Sequence, residues 1–266
     1  MECVRARPIV ITGLVLALLA GLAVVVLYEA LRPGPGCSTA LGDGAGPFTV
    51  EQADNAATIA GVGLAMGMPD HAVTVALATA LQESGLRNLP GGDRDSAGLF
   101  QQRPSQGWGT FAQVTDPVYA ATAFYAKLRT EPDWPTLSVT KAAQLVQRSA
   151  TPEAYARWEP AARSLARALT GEDPAALTCH NLTLSVPGDN VATVAAAELG
   201  TGRLSGPQPT ARGWAIATWL VAHAARLGLD GVTYDGRTWT ADEGTWSTGG
   251  PSDGQLSLHH ASPSAA

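Results

Sequence analysis

Between Thr49 and Gly171 apolar positions recur at helical spacing, in segments separated by Pro, Gly and short polar clusters. Thr49-Val-Glu-Gln52 has the form of a capping box and predicts a helix running to about Gly67. Pro69 separates it from a second helix, which Asp70 is placed to cap. Val73, Leu77, Ala80 and Leu81 mark the buried face of that helix, and Gly85 is its expected stop. The stretch from Asn88 to Gln113 is rich in Gly, Asp, Ser and Gln and predicts a long loop or short hairpin. Asp116-Pro117 supplies an N-cap and an N1 proline for a helix with Val118, Ala121, Tyr125 and Leu128 on one face. Ser138 opens another, with Ala142, Leu145 and Val146 inward. Thr151-Pro152 opens the last, which Pro160 is expected to bend or break and Gly171 to end.

Beyond Gly171-Glu-Asp-Pro174 the pattern changes. Asn190 to Leu199 and Gly213 to Leu227 read as helices, with Gly228 as a stop. Val232-Thr-Tyr234 and Arg237-Thr-Trp239, joined by Asp235-Gly236, carry the signature of a two-residue hairpin, and Gln255 to His259 alternates like a further strand. The expected class is therefore a mainly α domain over 48–171, then a small α+β module over 188–260. A linker at 172–187 joins them, and 261–266 is a tail. At the other end, Pro8 to Leu27 is an uncharged run of about 20 residues, enough to span a bilayer. Arg5 and Arg7 before it set the amino terminus on the cytoplasmic side. Residues 1–31 thus read as a cytoplasmic tip and single transmembrane signal anchor, and 32–47, rich in Gly and Pro, as a flexible tether. The expected location is the cell membrane with extracytoplasmic domains, cleavage and secretion being the alternative.

The chain has 266 residues and a net charge of -6, which argues against nucleic acid as a partner. That charge gives no general attraction to an anionic polymer either, so binding to one must rest on local pockets. Of three cysteines, Cys3 lies on the cytoplasmic side, while Cys37 and Cys179 lie outside, where disulfides form. As the only two exported thiols they are expected to pair, the alternative being two free thiols. The five histidines are scattered and no CxxC or HExxH occurs, so no metal or other cofactor is expected.

Glu83 closes the apolar run of the second helix. It is either a solvated last-turn residue or a carboxyl beside core side chains, where burial would keep it protonated for general-acid work. The neighbouring residues favour the second reading. Glu83-Ser84 and, after the Gly-rich loop, Gly98-Leu99-Phe100-Gln101 resemble in order and spacing the two leading motifs of the soluble lytic transglycosylase group, in the lysozyme-like superfamily. That group shows Glu-Ser and then Gly-Leu-Met-Gln, so Phe100 replaces Met; the resemblance covers roughly residues 48 to 170.

The resemblance implies an α+β domain in the lysozyme sense and cleavage of the β-1,4 bond between N-acetylmuramic acid and N-acetylglucosamine in peptidoglycan glycan strands. Glu83 would be the single acid/base; Ser84, Gly98, Leu99 and Gln101 would orient the substrate or the glutamate. Tyr119, Tyr125 and Tyr155 are candidates for the group's tyrosine that hydrogen-bonds the acid. The group's Ala-Tyr-Asn motif is missing, and Val146-Gln-Arg-Ser149 stands roughly in its place. Asp93 and Asp95 are the nearby candidates for a second carboxylate, or else turn residues. Trp108, between glycines in the loop, is a candidate sugar-stacking residue; Tyr155 and Trp158 either stack on sugars or fill the core, and core is the simpler reading. The rival expectation is an inactive lysozyme-like protein that binds or scaffolds the wall. The C-terminal module looks similar to modules attached to other secreted wall-associated bacterial proteins, a likeness that implies no catalytic residue there.

Overall fold

The computed structural model describes residues 21–23, 27, 34–40, 47–186 and 190–261. The chain divides into two units, Met1–Gly34 and Pro35–Ala266. Most of the expected membrane run lies outside the described residues, and no described helix is long and apolar enough to cross a membrane. Among the described residues helix makes up 51% and strand 14%, a mixed composition consistent with the α+β class.

Within Pro35–Ala266 the first half is built around α1 (Val50–Ala65) and α2 (Asp70–Ser84). The Thr49 capping box forms: the Thr49 hydroxyl accepts from Gln52 N, and the Gln52 side chain accepts from Thr49 N. α2 is buried all round from Ala72 to Leu81 rather than along one stripe, because it is walled by α1, by α5 (Val139–Gln147) and by α6 (Glu159–Thr170). Asp70 does not cap it. Pro69 occupies the N-cap position with extended backbone, and Asp70 sits one residue inside, in the first turn. α3 (Phe111–Val114) and α4 (Pro117–Thr130) follow the loop, with the Asp116 carboxylate accepting from Tyr119 N as the N-cap.

The expected helix from Pro152 is instead a 3-10 stretch, Pro152–Trp158, followed by α6. Pro160 neither bends nor breaks α6 but lies in its first turn, where its missing N–H costs nothing.

The segments expected to be a tether and a linker are partly built into the fold. β1 (Gly36–Thr39) pairs antiparallel with β2 (Leu177–His180), with Cys37 directly opposite Cys179. The two sulfurs are bonded, 2.00 Å apart, across 142 residues of sequence. β2 is then stitched to the C-terminal part: Trp239 Nε1 donates to Cys179 O at 3.1 Å, and Trp246 Nε1 to Leu177 O at 2.8 Å.

That C-terminal part holds α7 (Val191–Leu199), α8 (Thr210–Ala222) and the one-turn α9 (Ala224–Leu227). α7 packs on α1, while α8 and α9 pack on an antiparallel sheet ordered β3-β7-β4-β5-β6. Its strands are β3 (Gly206–Pro207), β4 (Leu229–Tyr234), β5 (Arg237–Thr240), β6 (Trp246–Thr248) and β7 (Gln255–His260). The hairpin forms at Asp235-Gly236, both with positive φ, and Tyr234 faces Arg237. The single helix expected over Gly213–Leu227 starts earlier, at Thr210, and is interrupted at His223.

Candidate active site

α2 ends where α1 holds it. Gly85 takes the left-handed conformation that closes the helix, and Leu86 follows with φ 58°. The two carbonyls left exposed by that turn are taken by α1: Gln52 Nε2 donates to Gly85 O and Asn55 Nδ2 to Leu86 O, each at 2.9 Å. This fixes the last turn, and Glu83 projects from it half-buried.

Ser84 is buried and faces away from solvent. Its Oγ donates to Leu99 O at 2.8 Å and accepts from Arg87 N at 3.2 Å, so it welds the loop to the helix end. Gly98 has φ 78°, and a Cβ there would lie 1.9 Å from Val114 O; only glycine fits. Leu99 is fully buried, and Phe100 stacks on Phe124 of α4 at 4.7 Å. Ser84, Gly98 and Leu99, expected to orient the substrate or the glutamate, turn inward and shape the loop behind Glu83. Gln101 is half-buried; its side chain accepts from Ser96 Oγ and donates to Gly98 O. Its amide is engaged within the loop.

Of the three candidate tyrosines, Tyr155 meets the acid. Its hydroxyl donates to Glu83 Oε1 at 2.8 Å from the 3-10 stretch. Tyr125 does not reach the site: it is fully buried and donates to Ile59 O at 3.0 Å, beside Gly63, where any side chain would collide with its ring. Gln147, at the end of α5, donates to Phe100 O at 2.9 Å and adds a side-chain hydrogen bond to Glu83. Burial raises the Glu83 carboxyl above its ordinary pKa, and the Tyr155 and Gln147 bonds offset only part of that. Burial and the neighbouring Glu83 charge push the Tyr155 phenol upward, so it remains a donor.

The loop carboxylates are placed differently. Asp95 accepts from Ser105 N at 2.7 Å and pairs with Arg103 at 2.8 Å; these bonds hold its carboxyl far below the usual range. Asp93 is open to solvent and lies 3.8 Å from Arg94. Neither bonds to Glu83, and both do turn chemistry. Trp108 is half-buried, its ring resting on the core. A cleft of about 280 Å³ lies between α5 and the 3-10 stretch, lined by Thr140, Gln144 and Pro152 among others. It adjoins the two elements that supply Gln147 and Tyr155.

Two groups had no local signal in the sequence. Gln82 Oε1 accepts from both Arg157 Nη2 (3.1 Å) and Trp158 Nε1 (2.9 Å), one residue before Glu83. Far from there, fully buried His223 bridges Asp54 of α1 (Nδ1–Oδ1 2.5 Å) and Glu198 of α7 (Nε2–Oε2 2.9 Å). Arg226 reaches the same two carboxylates at 3.0 and 3.2 Å. Burial pulls the imidazole down, but the two carboxylates more than compensate and lift its pKa to about 9. Asp54 and Glu198 finish below their ordinary values although burial pushes them up, because His223 and Arg226 stabilise their charge.

Fold and site together define an α+β protein with one half-buried, hydrogen-bonded glutamate at the end of a core helix, and a second half clasped to the first. The family model described as VldE, C-terminal domain, matches residues 193–260, about a quarter of the chain. The match takes in most of α7, all of α8 and α9, and all of β3 to β7. No curated protein matches the chain.

Proposed function

We propose that the chain is a membrane-anchored, extracytoplasmic enzyme that cleaves the N-acetylmuramic acid to N-acetylglucosamine bond of peptidoglycan, with residues 48–171 forming a lysozyme-like domain. The observation that carries the reading is Glu83: a carboxyl ending a core helix, raised by burial, unpaired with any cation and oriented by Tyr155 at 2.8 Å. A carboxyl shifted in that direction holds its proton more readily than a solvated one, as a general acid must.

In the proposed reaction the Glu83 proton passes to the bridging oxygen as the glycosidic bond breaks, and the substrate's own acetamido group stabilises the developing cation. The carboxylate left behind then takes the proton of the muramyl C6 hydroxyl as that oxygen closes on C1, giving a 1,6-anhydro end and restoring the acid. Attack by water in its place gives hydrolysis. One carboxyl suffices for this route, as in substrate-assisted glycosidases. That agrees with Asp95 being held by Arg103 and Ser105, and with neither Asp93 nor Asp95 bonding to Glu83. Tyr155 donates to the carboxylate in the second step and keeps it from rotating away.

Incubating the purified chain with isolated sacculi and weighing the released muropeptides tests the reading. Anhydro or reducing muramyl ends are expected. Sacculi that retain the protein but release no sugar ends would favour the wall-binding alternative and overturn this one.

A further inference from the structure

The net charge of -6 leaves open how an acidic protein would hold an anionic glycan, and the placement of its arginines answers that. Eight arginines lie between residues 48 and 171. Arg94, Arg103, Arg163 and Arg167 are paired with carboxylates. Arg129 is tied to Met66 and Met68 of the α1–α2 connection. The other three, Arg87, Arg148 and Arg157, are exposed, and among the described residues none has a carboxylate within ion-pair distance.

All three flank Glu83. Arg87 Nε donates to Ser84 O at 3.3 Å, directly after the glutamate. Arg157 Nη2 donates to Gln82 Oε1, directly before it, and its guanidinium lies over the Trp158 ring, 4.9 Å from the centroid. Arg148 follows Gln147, which bonds to Glu83, and takes a left-handed backbone conformation at the end of α5. The three come from three separate elements, each beside a residue that adjoins Glu83 in sequence or hydrogen-bonds to it. None is close enough to lower it: its environment is set by burial, Tyr155 and Gln147. Glu159, the acid next to this rim in sequence, is taken by Arg163 at 2.6 Å.

We infer that Arg87, Arg148 and Arg157 form a carboxylate-recognising rim around Glu83, so that the site selects glycans bearing carboxylates over neutral N-acetylglucosamine polymers. The inference rests on the proposed glycan-cleaving role of Glu83 and names the substrate class of that site. Guanidinium groups are suited to the task, since each presents a planar fork of donors to a carboxylate. The carboxylates come either from the stem peptides or from the lactyl group of muramic acid itself.

The test compares the parent with the triple variant Arg87→Gln, Arg148→Gln, Arg157→Gln on three substrates. These are peptidoglycan strands with stem peptides, the same strands stripped by an amidase so that free lactyl carboxylates remain, and neutral chitooligosaccharides. The ratio of kcat/KM on carboxylate-bearing over neutral glycan is expected to fall about tenfold or more in the variant, the scale of losing one charge-assisted hydrogen bond. A fall confined to peptide-bearing strands assigns the contact to the stems, and a fall on both assigns it to the lactyl group. An unchanged ratio, with an unchanged melting temperature, overturns the rim. Calorimetric binding of the same fragments to Glu83→Gln chains, with and without the arginine changes, separates the two claims. If the parent cleaves nothing, the catalytic reading fails, while arginine-dependent binding still decides the rim.

Discussion

Two groups of carboxyls in this molecule have opposite fates. Glu83 and Glu198 are both glutamates near the end of a helix, and both are withdrawn from water. Around Glu198 and Asp54 stand a buried imidazole and a guanidinium, and the carboxyls finish ionised. Around Glu83 stand only a phenol and an amide, and burial wins. The difference lies in the partner: a cation converts a buried carboxyl into a structural joint, whereas neutral donors leave it able to exchange a proton. The first arrangement joins α1 to α7 and α9, and with the disulfide it clasps the two halves; the second stays half-buried at the end of α2.

The contrast breaks most visibly on the clasp side. Reducing the Cys37–Cys179 bridge releases a closure over 142 residues. The chain-entropy model gives about 5 kcal/mol for this, an upper figure, or a melting temperature roughly 10–20 °C lower. A calorimetric scan with and without reductant measures it. Replacing His223 by Ala strands Asp54 and Glu198 with Arg226 alone and should cost about 3–5 kcal/mol, or roughly 6–20 °C.

The pH dependence of that joint has a definite sign. His223 is raised in the fold to about 9, so its contribution is full below the unfolded value near 6.5 and is lost as pH rises through about 9. Asp54 and Glu198 are lowered, so theirs is present above the unfolded carboxylate values and lost on acidification. The joint is strongest at mildly acidic pH. Melting curves of the parent should therefore lose more stability between pH 6.5 and 9.5 than those of His223→Ala, and equal losses would detach His223 from the clasp.

On the Glu83 side the effects are chemical. Tyr155→Phe removes the hydrogen bond that favours the ionised carboxyl, so the basic limb of the pH–rate profile should move upward. The rate should drop roughly tenfold with the second proton transfer, by the scale of one hydrogen bond to a charged group. A smaller effect runs the other way on stability. Because Glu83 is raised, its ionised form opposes folding at neutral pH, and Glu83→Gln should melt no lower than the parent, with a gain of a degree or two measurable by scanning calorimetry.

Legibility in the sequence divides along the same line. The helix end at Glu83, the loop after it and the Cys37–Cys179 pair are legible because caps and glycines act locally and a pair of cysteines can be counted. The hairpin at Asp235-Gly236 was legible for the same reason. The inward orientation of Ser84 and Leu99 is not legible, because a motif gives residue order and not which side faces solvent. Choosing Tyr155 over Tyr125 depended on the 3-10 stretch that replaces an expected helix. The His223 joint was invisible because its members, Asp54 and His223, are 169 residues apart and have no periodic relation.

The central claim is that Glu83 is an acid because its surroundings lack a cation, and Glu83→Gln tests it most directly. The amide keeps the shape of the side chain and the Tyr155 contact but has no proton to transfer. Measured as sugar ends released from sacculi at equal concentration, with melting confirmed at or above the parent's, the variant should lose roughly 10²- to 10⁴-fold in rate. A folded Gln variant that releases ends as fast as the parent would contradict the account.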